Sequence, residues 1–95
     1  RDSYFYRTHA GAEMDLVILR HGRRYGFEFK FADAPRLSRS MIVAREDLKL
    51  QWIWIVYPGD RSYTLSAGIE AIPAAQIPRA INALVQVVPG SGRTR

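Results

Sequence analysis

The chain has no cysteine among its 95 residues. Disulfides and thiolate metal sites are therefore excluded, and nothing in the composition argues for an oxidising compartment. It also lacks any apolar run approaching the roughly 18 residues that a membrane-spanning helix needs. No signal-peptide pattern opens the chain, so the expected setting is cytoplasmic, with no membrane partner. Acidic residues are in the minority. Nine Asp and Glu stand against 14 Lys and Arg, which leaves a net charge of +5. A basic surface attracts polyanions in a salt-dependent way, so DNA or RNA is the expected class of partner. Many small domains are basic without such a partner, and the charge alone decides nothing. No internal repeat or low-complexity segment is present.

What the chain does have is enough apolar material for one small core. The hydrophobic fraction is 47% and the aromatic fraction 12%. The length allows one domain and is too short for two. Residues 1–88 are expected to form that domain, with 89–95, rich in Gly and Arg, as a flexible basic tail. The chain starts on Arg1 and enters an aromatic run within three residues, so it is expected to be a piece of a longer protein.

The apolar pattern predicts elements in the order β-β-β-α-β-β-α. Residues 4–8 carry aromatic and β-branched types and read as a first strand. In 13–19 the residues alternate, with Met14, Leu16 and Ile18 on one face and Glu13, Asp15 and Val17 on the other. His21-Gly22 supplies a tight turn. Residues 24–31 alternate again, with Tyr25, Phe27, Phe29 and Phe31 expected on one buried face. After Pro35 the period changes. Leu37, Met41, Ala44 and Leu48 recur at helical spacing, with Ser38 as the N-cap. Residues 51–57 are almost continuously apolar and read as a central strand buried on both faces. A shorter strand follows over 62–66, with 68–72 extending it after a turn. Residues 74–88 have helical character, with Pro78 in the first turn. Strand, helix, buried strand implies a parallel pair joined by a right-handed crossover. The fold class is α/β with a mixed sheet.

A hairpin centred on His21-Gly22 pairs Met14 with Phe29, Leu16 with Phe27 and Ile18 with Tyr25. Its other face pairs Glu13 with Lys30 and Asp15 with Glu28. Directly opposed carboxylates have Cβ atoms about 5 Å apart and repel. One of them must be protonated, or a cation must lie between them. Two carboxylates with nearby carbonyl oxygens suit a hard ion, Mg²⁺ or Mn²⁺, and Lys30 is then placed to hold a phosphate oxygen or a water. The same four residues also fit a cross-strand ion pair on a solvated face. His9 reads as a turn residue or a general base, and His21 as a hairpin tip. Trp52 and Trp54 share a face of the central strand and read as core. Arg36, Arg39, Arg45 and Lys49 lie on or beside the first helix. They fit a phosphate-backbone contact or a solvated helix face, and Glu46 and Asp47 interrupt the basic stretch.

Four motifs carry a resemblance. The run Tyr6-Arg7-Thr8-His9-Ala10-Gly11-Ala12-Glu13-Met14-Asp15-Leu16-Val17 resembles the "W/Y-R-T-x-x-G-x-E-V-D-F-V" signature of the domain of unknown function 4143. Phe27-Glu28-Phe29-Lys30 resembles its "I-E-V-K", Ile55-Val56-Tyr57-Pro58-Gly59-Asp60 its "V-V-Y-x-G-D", and Gly68-Ile69-Glu70-Ala71-Ile72-Pro73 its "G-I-x-V-I-P". That family follows an AAA-type ATPase module in bacterial and archaeal proteins and is similar to PD-(D/E)XK, restriction-endonuclease-like nucleases. The resemblance implies Asp15 and Glu28 as metal ligands, Lys30 as the catalytic lysine and Glu13 as a supporting residue behind Lys30. It further implies an upstream ATPase domain as partner. Nucleases of that kind carry a helix before the first strand, often with a further Glu. Without that helix, one face of the sheet would favour a homodimer of the fragment. Two functions follow as expectations: a divalent-metal-dependent phosphodiesterase acting on DNA or RNA, or a non-catalytic accessory domain of the ATPase.

Overall fold

The computed structural model describes residues 3–6 and 14–86. Their elements are β1 (Ser3–Tyr6), β2 (Leu16–Arg20), β3 (Arg23–Phe29), α1 (Arg39–Asp47), β4 (Leu50–Tyr57), β5 (Tyr63–Ser66), β6 (Ile69–Pro73), a 3-10 turn (Ala74–Gln76) and α2 (Ile77–Gln86). The strands form one mixed six-stranded sheet in the order β1-β2-β3-β4-β6-β5. The class is α/β, as the pattern predicts.

The hairpin of β2 and β3 has the expected register. Leu16 pairs with Phe27, Ile18 with Tyr25 and Arg20 with Arg23. Its two turn residues both have positive φ, 51° at His21 and 76° at Gly22, the combination whose twist matches the flanking strands. β3 and β4 are parallel and joined by α1, and β4 and β6 are parallel as well. The stretch 62–72 differs from expectation. It does not form one extended strand. Gly68, at φ 80°, turns the chain so that β5 lies antiparallel to β6 at the sheet edge, which gives six strands in place of five.

Each face of the sheet is covered by one helix. On the α1 face, Val17, Ile53, Ile55, Tyr57, Ile69 and Ala71 meet Met41 and Ala44. On the α2 face, Ile18, Tyr25, Phe27, Trp54, Val56 and Ile72 meet Ala80 and Leu84. β4 contributes alternately to both cores, which is why its sequence has almost no polar residue. Trp54 stacks on Phe27 at 5.0 Å between ring centroids, with Tyr25 at 6.2 Å, so its role is packing. Helix α1 starts where Ser38 Oγ accepts from the Met41 N–H at 3.3 Å. It ends at Asp47, with Leu48 as the C-cap, and Lys49 follows at a φ of 54°, in the left-handed region that follows many helices. The Arg24 guanidinium donates to the Leu48 carbonyl at 3.1 Å, a cation at the negative helix end.

Two expectations about faces are corrected. Met14 packs in the α1-side core with Val17, not with Leu16 and Ile18, and the pairing of Met14 with Phe29 is not made. The strand alternation starts only at Leu16. Gly26 makes the crossing practicable, since a Cβ there would lie 2.9 Å from Met14 Sδ. Nor do the four aromatics of 24–31 share a buried face. Tyr25 and Phe27 are buried, but Phe29, the last residue of β3, and Phe31, beyond its end, are 42% and 93% exposed.

Candidate metal centre

The ladder between β2 and β3 stops at Leu16 and Phe27. One residue before it, the Asp15 side chain takes over: its Oδ2 accepts the Phe29 N–H at 2.8 Å. That bond fixes the carboxylate against β3 and satisfies a backbone donor that β2 no longer reaches. Glu28 sits beside it, opposite Ile55 of β4. Alternation along β3 puts Tyr25 and Phe27 on the α2 face and Glu28 on the α1 face.

Glu28 is held in an unfavourable setting. Its side chain is 14% exposed, and Oε2 lies 3.6 Å from Lys30 Nζ, a long ion-pair distance to an ammonium that is 40% exposed. The second oxygen, Oε1, is buried with no hydrogen-bond partner. Burial pushes the Glu28 carboxyl above the usual carboxylate range, and the Asp15 charge pushes it further. The Lys30 ammonium and a backbone hydrogen bond oppose both without cancelling them.

The residues predicted for this site separate into three groups. Asp15, Glu28 and Lys30 come together. Glu13 and His9 lie outside the described residues. Of the basic residues predicted for nucleic acid, Arg36 and Arg39 are exposed at the start of α1, which follows directly from the end of β3. Arg45 lies in the last turn of the helix, about 9 Å further along its axis. Its guanidinium packs against Gly68, where an added Cβ would be 3.0 Å from Nη2. Lys49 is exposed and shapes the end of the helix. The structure thus brings Arg36 and Arg39 to the carboxylate end and takes Arg45 and Lys49 to the other.

One anchor escaped the sequence reading. The Tyr63 hydroxyl of β5 donates to the Pro35 carbonyl at 2.6 Å, tying down the loop that leaves the site. No periodicity in the sequence signals a contact across 28 positions. Among the described residues no three His, Cys, Asp or Glu side chains converge, so the acidic core of the site is the pair Asp15 and Glu28. No helix among the described residues is long and apolar enough to cross a membrane.

Comparison with known proteins adds a family and two relatives. The family model described as "Domain of unknown function (DUF4143)" matches residues 1–77. The chain is similar to the uncharacterized protein Rv2008c of Mycobacterium tuberculosis, with 47% identity over 74 residues, 78% of this chain and 17% of that protein. Uncharacterized protein Mb2031c of Mycobacterium bovis matches with the same identity and coverage. The chain therefore spans about 17% of the length of these relatives. No solved structure matches.

Proposed function

The chain belongs to the DUF4143 family, and we propose that it is a divalent-metal-dependent, nuclease-like domain of the PD-(D/E)XK, restriction-endonuclease-like kind, acting on DNA or RNA. The observation that carries this reading is the orphaned oxygen Oε1 of Glu28. A buried carboxylate oxygen without a donor bears a desolvation cost that the Lys30 ammonium and the backbone hydrogen bond to Glu28 offset only in part. A hard cation is the partner that two carboxylates suit best, so the donor set fits Mg²⁺ or Mn²⁺. Asp15 and Glu28 would hold the ion, with Glu13 supporting Lys30. Such an ion supplies Lewis acidity and an acidified water.

The protein's own groups do the rest. The Phe29 N–H orients Asp15. Lys30, partly exposed beside Glu28, holds a phosphate oxygen and stabilises the charge that develops on it. Arg36 and Arg39, exposed at the start of α1, contact the phosphate backbone. In the hydrolysis one P–O bond forms from water and one ester P–O bond breaks, and the leaving oxygen takes up a proton.

A second reading is a non-catalytic accessory domain of an attached AAA-type ATPase. It is favoured by the engagement of Lys30 with Glu28 and by the small acidic set, two carboxylates among the described residues. Calorimetric titration with Mn²⁺ and cleavage of a labelled oligonucleotide separate the two. The nuclease reading expects one Mn²⁺ site, lost in Asp15→Asn and in Glu28→Gln, and metal-dependent cleavage that falls at least about 100-fold in Lys30→Ala. Parent protein that binds no Mn²⁺ overturns the metal centre. Mn²⁺ binding without cleavage leaves the accessory reading.

A further inference from the structure

Phe31 is 93% exposed, more than twice the exposure of Phe29, Leu37, Ile42 or Ile81, the other exposed large apolar side chains among the described residues. It follows Lys30 directly, and its backbone surroundings are fixed. The Lys30 N–H donates to the Val56 carbonyl at 2.8 Å, so the chain is tied to β4 up to the residue before the ring. Four residues later Pro35 is buried, and its carbonyl accepts from Tyr63. Ser38 then caps α1. A short loop pinned at both ends presents a phenyl ring to solvent beside the candidate centre.

The charges around that ring identify what it meets. Between residues 28 and 39 the chain carries Lys30, Arg36 and Arg39 against Glu28 and Asp33, and Lys30 is already paired with Glu28 at 3.6 Å, which leaves Arg36 and Arg39 as the exposed cations of the segment. An apolar partner surface would leave Arg36 and Arg39 desolvated and unpaired, whereas a polyanion with flat apolar faces satisfies the ring and both guanidiniums together. Single-stranded nucleic acid has both properties, since its bases are free to stack on aromatic side chains and its phosphates pair with Lys and Arg. We propose that Phe31 is a stacking platform for a base of a single strand whose phosphates lie on Arg36 and Arg39. Phe31 is thus a positioning residue, and the proposal rests on the nucleic-acid reading of the Asp15, Glu28 and Lys30 site.

The test is fluorescence anisotropy of a labelled single-stranded oligonucleotide, done in EDTA so that the outcome does not depend on any metal. Phe31→Ala is expected to weaken binding roughly 5- to 30-fold, Phe31→Trp to match or exceed the parent, and Phe31→Leu to behave like alanine. Arg36→Ala and Arg39→Ala should each lower the slope of log affinity against log salt by about 0.7. Equal affinity of parent and Phe31→Ala overturns the proposal, as does full binding by Phe31→Leu, which would make the contact merely apolar. So does a loss of thermal stability in Phe31→Ala with no loss of affinity, which would make the ring a packing residue. A metal centre that fails the Mn²⁺ titration while Phe31 behaves as stated removes catalysis and leaves the platform standing.

Discussion

Two glutamates, one on each face of the sheet, are buried to similar degrees and treated in opposite ways. Glu70 on β6 is 19% exposed and meets Arg79 of α2 at 3.1 Å, with the guanidinium also donating to Gln76 at 2.8 Å. Glu28 on β3 is 14% exposed and meets its lysine only at 3.6 Å, with one oxygen buried and unpartnered. The two even flank neighbouring positions of β4, Glu70 opposite Trp54 and Glu28 opposite Ile55. Burial alone therefore does not mark a functional carboxylate. What distinguishes Glu28 is that the fold encloses it without completing its coordination, whereas the partners of Glu70 make it part of the scaffold.

Breaking the strand that supports both would have the largest effect. Ile55 is fully buried opposite Glu28, and Ile55→Ala is expected to cost about 2–5 kcal/mol, read as a shift in the urea midpoint. Removing each glutamate's cation sharpens the contrast. Arg79→Ala is expected to cost up to about 1 kcal/mol, and Lys30→Ala, whose pair is longer, less than about 0.5 kcal/mol, in the same measurement. An equal or larger cost for Lys30→Ala would show Glu28 to be a structural ion pair after all.

The smallest effect is a pH dependence. The folded chain holds the Glu28 proton more tightly than the unfolded chain does. Its contribution to stability is therefore present at acid pH and is lost as pH rises from the ordinary carboxylate value through the raised one. In EDTA, Glu28→Gln lacks this loss. The variant's stability relative to the parent should rise as pH increases above the ordinary carboxylate value and level off once the raised carboxyl has ionised. Chemical denaturation of both proteins across that range checks it, and parallel curves would contradict the raised carboxyl.

Much of this was legible in the residues. The hairpin register followed from the burial of Leu16, Ile18, Tyr25 and Phe27 on one face, because a one-residue slip would move all four to the face that carries Glu28. The cap at Ser38 and the buried strand β4 were legible for similar local reasons. Less legible were the exposure of Phe29 and Phe31 and the crossing of Met14 to the other face. Alternation predicts which side a residue points to only while the strand lasts, and it carries no information about where the covering helix ends. The antiparallel return of β5 and β6 was equally obscure, since a turn at Gly68 is compatible with either an extension or a reversal.

The sequence by itself determined the α/β class, the order of the main elements, the core of β4 and the meeting of Asp15, Glu28 and Lys30, since each depends on local period and pairing. Only the tertiary structure decided that Asp15 is tied to the Phe29 N–H, that Glu28 keeps an unpartnered oxygen, and that Arg36 and Arg39 lie at the carboxylate end while Arg45 packs at Gly68. These depend on distances between elements far apart in the chain. Such distances are set by how two helices and six strands close around two cores, and no single stretch of residues encodes them.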